Sequence, residues 1–104
     1  GLVALKHAST LNSQISLLIS ERRKLYNALL RTPGVTPFPT ETNFILLWIE
    51  KDATRVFQAL KKRGILVKNL DRPGPLKGCL RVTIGTPAEN NEFLKNLKGI
   101  LTTD

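Results

Sequence analysis

Seven consecutive residues, Asn43-Phe-Ile-Leu-Leu-Trp-Ile49, constrain this chain more than any other feature. They are rich in branched and aromatic side chains and bounded by turn-forming residues, so they read as a β-strand. No polar residue alternates with the apolar ones from Phe44 to Ile49. A strand of that kind calls for cover on both faces. A chain of 104 residues struggles to supply that cover alone, and this is the first hint that something further meets the sheet.

Around the strand, helical and extended periods alternate. Leu11, Ile15, Leu18, Ile19, Leu25 and Leu29 recur at spacings of three and four, which predicts a helix over 10–30 with Glu21, Arg23, Lys24 and Asn27 turned largely to solvent. Leu2 and Leu5 would extend this helix, whereas Ser9-Thr10 could break it. Pro33-Gly34 ends it, and the prolines between Thr32 and Thr42 predict an extended loop. Asp52 caps a second helix to about Lys62, with Ala53, Val56, Phe57 and Leu60 inward and Gly64 just past its cationic last turn. Ile65-Leu66-Val67 reads as a short strand, residues 71–78 as a turn-rich loop, and Leu80, Val82 and Ile84 alternate with Arg81 and Thr83 as a strand with one apolar face. Thr86-Pro87-Ala88-Glu89 is a capping box with proline at the first helical position, and Phe93, Leu94, Leu97 and Leu101 form the inner face of the helix it opens. The order predicts a single α+β domain over 1–104, a small three-to-four-stranded sheet with helices packed on one side.

The chemistry a chain of this kind can perform alone is narrow. One histidine, His7, and one cysteine, Cys79, exclude a histidine cluster and thiolate zinc sites. Cys79 fits a reducing compartment and reads as a small core residue. No Walker loop or GxGxxG occurs, and Glu41, Glu50, Asp52, Asp71, Glu89 and Glu92 are too dispersed to suggest an acid–base pair. Neither a membrane-length apolar run nor a secretory signal pattern is present. The net charge of +8 favours anionic partners, although a solvated basic surface explains it as well. Two cations stand out. Arg81 projects from the polar side of an otherwise apolar strand, as either a solvent-facing arginine or a two-pronged donor for a carboxylate or phosphate. Lys68, just after the short strand, is either an anion contact or a strand-terminating charge.

Three segments, Pro39-Thr-Glu-Thr-Asn-Phe-Ile-Leu46, Leu60-Lys-Lys-Arg-Gly-Ile-Leu-Val-Lys-Asn69 and Cys79-Leu-Arg-Val-Thr-Ile-Gly-Thr86, resemble in order and spacing the C-terminal third of the histidinol-phosphate aminotransferases, which are fold-type-I, pyridoxal-phosphate-dependent enzymes. Asn90-Asn91-Glu92-Phe93-Leu94 continues the likeness, and Asn12–Ile15 with Glu21–Leu25 fits the long helix that enters that domain. The resemblance implies a substrate-binding small domain of a transaminase of histidine biosynthesis, exchanging an amino group between histidinol phosphate or glutamate and the matching oxo compounds. It implies that Arg81 binds the substrate α-carboxylate. It implies that Lys68 stands where an arginine usually helps hold the substrate phosphate, which keeps the cation but loses the bidentate fork. The resemblance further implies that the lysine bearing pyridoxal phosphate, and most of the cofactor's other ligands, belong to a preceding large domain. It also implies a homodimer when full length, and a cytoplasmic location, or a plastid one in a plant. The chain opens abruptly inside a helical pattern, as a domain cut from a longer protein would.

A small basic nucleic-acid-binding domain is the competing reading, as is an aromatic- or aspartate-type aminotransferase. Charge supports the former. Against it, Phe44 and Trp48 lie in an apolar run, so the strands are expected to lack the exposed paired aromatics that stack bases. The isolated chain is expected neither to bind pyridoxal phosphate specifically nor to transaminate. Borohydride reduction followed by mapping of any labelled lysine checks this, and one stoichiometric site with turnover of a phosphorylated amino alcohol would contradict it.

Overall fold

The computed structural model describes residues 2–103, with side chains from residue 10 onward. Three helices and four strands follow in the order α1 (Leu2–Leu30), β1 (Val35–Pro37), β2 (Phe44–Ile49), α2 (Ala53–Lys62), β3 (Lys68–Asn69), β4 (Cys79–Thr83) and α3 (Pro87–Leu101). The strands form one antiparallel sheet in the order β1-β2-β4-β3. Ile45, Leu47 and Ile49 of β2 and Leu80 and Val82 of β4 point to one side, where they join Leu25 and Leu29 of α1, Val56 and Leu60 of α2 and Phe93 and Leu97 of α3 in one core. All three helices therefore lie on one side of the sheet, the α+β arrangement expected. No helix among the described residues is long and apolar enough to cross a membrane.

The helix ends follow the local chemistry of the sequence. Asp52 accepts the Arg55 amide at the start of α2. At its end the Ile65 amide reaches the Leu60 carbonyl and the Gly64 amide reaches that of Lys61, both at 3.0 Å. This closure needs a residue of positive φ, and Gly64 supplies it at +80°. Thr86 and Glu89 exchange both bonds of a capping box around Pro87.

Four expectations are corrected. The loop over 32–42 contains a strand, β1, despite its prolines. The bonds Phe38 N–H to Leu46 O and Glu50 N–H to Gly34 O set the ladder so that Pro37 falls where an amide would face away from β2, and the missing donor costs nothing on this edge strand. The short strand is not Ile65–Val67 but Lys68–Asn69, which alone pair with β4. α1 runs unbroken through Ser9-Thr10, and His7 lies within it, its side chain outside the described residues. Its N-terminal part overhangs the sheet, so Leu11, Ile15 and Ile19 are exposed and only the last three turns reach the core through Leu25 and Leu29.

Glu21, expected at the surface, is 4% exposed. Its partner comes from 69 residues away: Asn90 Nδ2 donates to Glu21 Oε1 at 3.0 Å and to the Gly85 carbonyl at 3.1 Å, while the Gly85 amide donates to Asn90 Oδ1 at 2.9 Å. One buried amide thus joins α1, the end of β4 and the first turn of α3. The Asn90 bond holds the Glu21 carboxyl below its ordinary value of 4.5 against the opposing effect of burial, with Lys24 assisting. A depressed folded value contributes stability that is present above pH 4.5 and lost as pH falls through the lowered one. Asn90→Ala is expected to lower the midpoint of thermal unfolding at neutral pH by roughly 5–10 °C. The gap to the unaltered chain should narrow below pH 4.5. Calorimetry at pH 7 and pH 3 checks both, and a gap that does not change with pH would contradict the account.

Candidate functional site

The sheet face opposite the helices carries the chemistry. Strict alternation along β2 sends Phe44, Leu46 and Trp48 to this face while their neighbours enter the core, and Arg81 and Thr83 of β4 face the same way. The apolar run of β2 is therefore covered on one side only by the described residues: Trp48 is 40% exposed and Phe44 and Leu46 are half-buried. Of the two aromatics of β2 only Trp48 is exposed, so the strand does not present the exposed pair that stacks bases, although the absence of polar alternation hid which face lies open. Cys79 is buried as expected, opposite Trp48, and burial pushes its thiol above the ordinary range.

Arg81 stands at the middle of this face, opposite Leu46 on one side and Lys68 on the other. Its guanidinium carbon lies 4.9 Å from the centroid of the Phe44 ring. That geometry attracts a cation by about 0.5–2 kcal/mol. Nε of Arg81 is buried and has no hydrogen-bond partner among the described residues. A buried donor left unpaired costs about 1–3 kcal/mol, and few native side chains carry one. Lys68 is exposed and shares the face with Arg81, since residues directly paired across two strands point the same way. Like charges so placed disfavour the pairing, and among the described residues no ion pair joins either cation to a carboxylate. The two residues singled out in the sequence are thus brought together. Phe44 was not anticipated, and the signal for it was its position on the face that Leu46 and Trp48 define.

One carboxylate considered dispersed also bears on the site. Asp71, in the loop after β3, accepts from Thr54 and from the Gly78 amide, and the Thr54 hydroxyl bond, with the Gly78 bond next, holds its carboxyl below the ordinary value of 3.8. No group of three or more His, Cys, Asp or Glu among the described residues could hold a metal ion. Two clefts of roughly 640 and 670 Å³ lie off this face, one where the chain around Leu66 splays from Thr83 and one between α2 and α3, and neither contains Arg81 or Lys68. The cationic pair stands on the open face of the sheet, outside both clefts.

Comparison with known proteins follows from this geometry. Residues 3–97 match the family model described as aminotransferase class I and II. The histidinol-phosphate aminotransferase of Methylibium petroleiphilum is 44% identical over 103 residues, 98% of this chain and 28% of that protein. Among solved structures, a decarboxylase from Sulfurospirillum multivorans is 33% identical with a TM-score of 0.73, covering 81% of this chain and 25% of that one. The histidinol-phosphate aminotransferase of Clostridium acetobutylicum, at 22% identity, shares the fold with a TM-score of 0.83 over 92% of this chain and 30% of that one. The chain spans little more than a quarter of the length of the curated relative it matches.

Trp48 and the hairpin between β3 and β4 meet at Gly78. A Cβ there would approach Trp48 Nε1 to 2.9 Å, and the backbone φ is +82°. Gly78→Ala is expected to destabilise the chain by about 1–2 kcal/mol and to displace the indole from its seat. Trp48 is the one tryptophan, so its emission should shift in the native state, and an unshifted spectrum with unchanged stability would contradict this packing.

Proposed function

The chain belongs to the class I and II aminotransferase family, and from that premise we propose that it is the substrate-binding small domain of a pyridoxal-phosphate-dependent aminotransferase acting on histidinol phosphate and glutamate. The observation that carries this reading is the cationic pair: Arg81 and Lys68 stand side by side on an open face, and among the described residues no carboxylate forms an ion pair with either. An anion bridging them relieves the repulsion and gives the unpaired guanidinium donor a better electrostatic environment. An amino acid offers a carboxylate at that point and an amino-alcohol phosphate offers a dianion. The likeness to a decarboxylase is compatible with the same half-site, because holding an anionic group serves either reaction. The greater identity to the Methylibium enzyme, over nearly the whole chain, favours transamination.

In this reading Arg81 binds the anionic group in a two-pronged contact and Phe44 holds the guanidinium plane, so that the substrate is oriented as well as attracted. Lys68 adds charge without fixing direction. The described residues of this chain do not fit the cofactor itself. Covalent attachment calls for a lysine desolvated beside the ring, and the ring nitrogen for an acidic partner. Every described lysine is exposed. The cofactor and its lysine are assigned to the remainder of a longer polypeptide, whose surface would cover Phe44, Leu46 and Trp48, and a homodimer is the expected assembly. The competing reading as a nucleic-acid-binding domain gains the exposed Trp48 on the same face as two cations, but the family match accounts for the same residues.

Arg81→Ala in the complete enzyme is expected to lower kcat/KM roughly tenfold to several hundredfold, well beyond its effect on stability. Arg81→Lys should recover part of the loss, because a point charge does not reproduce the fork. A decarboxylated analogue of the amino-acid donor should be nearly insensitive to the change. Equal losses with both substrates, or simple unfolding, would make Arg81 structural.

A further inference from the structure

β3 is two residues long and lies at the sheet edge, pairing Lys68 with Arg81 and Asn69 with Leu80. A ladder that short does not hold its own register. One further backbone bond, Leu70 N–H to the Cys79 carbonyl at 3.1 Å, continues the pairing, and a set of side-chain bonds on the other side of the strand adds to its hold. Asp71 Oδ2 accepts from the Thr54 amide at 3.2 Å and from the Thr54 hydroxyl at 2.7 Å, and its Oδ1 accepts from the Gly78 amide at 2.9 Å. Asn69 closes the ring: its Nδ2 donates to Thr54 Oγ1 at 3.3 Å and its Oδ1 accepts from the Asp71 amide at 2.9 Å.

Thr54 is the second residue of α2, where backbone amides have no intrahelical acceptor and a negative charge is favoured. Asp52 satisfies the Arg55 amide, and Asp71 reaches across from the hairpin to satisfy that of Thr54. Because side chains alternate, an Asn69 tied to α2 obliges Lys68 to point to the opposite face, beside Arg81. A slip of one residue would exchange them.

We infer that Asp71, acting with Thr54, is a positioning residue for the anionic substrate: by pinning the β3–β4 hairpin to the first turn of α2 it holds Lys68 opposite Arg81. The inference rests on the reading of Arg81 and Lys68 as anion contacts, and it extends that reading to residues that do not touch the substrate.

The test uses the complete, cofactor-loaded enzyme and two substrates, a phosphorylated amino alcohol and the same alcohol without phosphate. The readout is the phosphate preference, the ratio of the two kcat/KM values, together with the inhibition constant of inorganic phosphate. Lys68→Ala is expected to lower the preference about tenfold. Asp71→Ala and Thr54→Val should each lower it about threefold to tenfold, through KM rather than kcat, and weaken inorganic phosphate in step. Thr54→Ser keeps the hydroxyl and should restore the preference. Combining Asp71→Ala with Lys68→Ala should do no more than Lys68→Ala alone, since both act through one ammonium group. Should Asp71→Ala not fold, the Thr54 pair carries the same test. Equal losses with both substrates, or additive effects in the double variant, would overturn the positioning role. A phosphate-specific loss in Lys68→Ala that the Asp71 and Thr54 variants do not share would overturn it while leaving the anion site standing. No phosphate-specific loss in Lys68→Ala would overturn the anion reading of Lys68, and the positioning role with it.

Discussion

β2 and β4 lie side by side at the centre of the sheet, with Phe44 opposite Thr83 and Trp48 opposite Cys79, and that register decides at once which residues enter the core and which face outward. Ile45 with Val82 and Leu47 with Leu80 build the buried layer, while Leu46 with Arg81 builds the open one. A shift of one residue would carry the Arg81 guanidinium into the core, where an unpaired charge costs several kcal/mol. Core packing and site geometry are therefore the same constraint seen from two sides. Variation that weakens the buried layer also moves the cations.

The helices hold this sheet through one polar link as well as through apolar contact. Asn90 sits in the first turn of α3, yet its amide serves Glu21 of α1 and both backbone groups of Gly85. Gly85 lies two residues beyond the end of β4, so the strand that bears Arg81 is anchored to two helices just past its end. An apolar residue at 90 would fill the space but remove the bond to Glu21 Oε1, which would keep only Lys24, and both bonds to Gly85. Buried polar groups of this kind specify one arrangement among the many that apolar packing alone permits.

Local signals made much of this legible before any coordinates. The capping box at Thr86, the Asp52 cap, the Gly64 terminus and the alternation around Arg81 each depend on neighbours within a few residues, and each element stands where its signal places it. What the sequence hid depends on distance along the chain. Glu21 looks solvated on a helical wheel until Asn90 is brought beside it, and Asp71 looks isolated until α2 presents Thr54. β1 was masked by the prolines in and around it, because nothing local tells a loop from an edge strand whose proline falls where an amide would face outward. The overhang of α1 escaped detection for the opposite reason: Leu11, Ile15 and Ile19 keep the helical period of a buried stripe although the described residues offer nothing to bury them. Periodicity states that a face is apolar, not what covers it.

The two cations differ in surroundings, and the difference divides their work in the proposed site. Arg81 is half-buried, flanked by Phe44 and opposite Leu46, with the apolar Trp48 farther along the same face. A guanidinium is weakly hydrated, so it tolerates such a setting, and an anion reaching it is screened less than in bulk water. Lys68 is exposed at the sheet edge, where solvent and salt weaken its field. On the proposed reading, affinity and orientation would fall to Arg81, and Lys68 would add an increment that grows with the charge of the ligand. A dianionic phosphate gains more from that increment than a carboxylate does. Under the same proposal, selectivity between the two would depend less on the lysine's identity than on how firmly the hairpin keeps it beside Arg81, and the bonds among Asp71, Thr54 and Asn69 would then be part of the specificity of a face they do not touch.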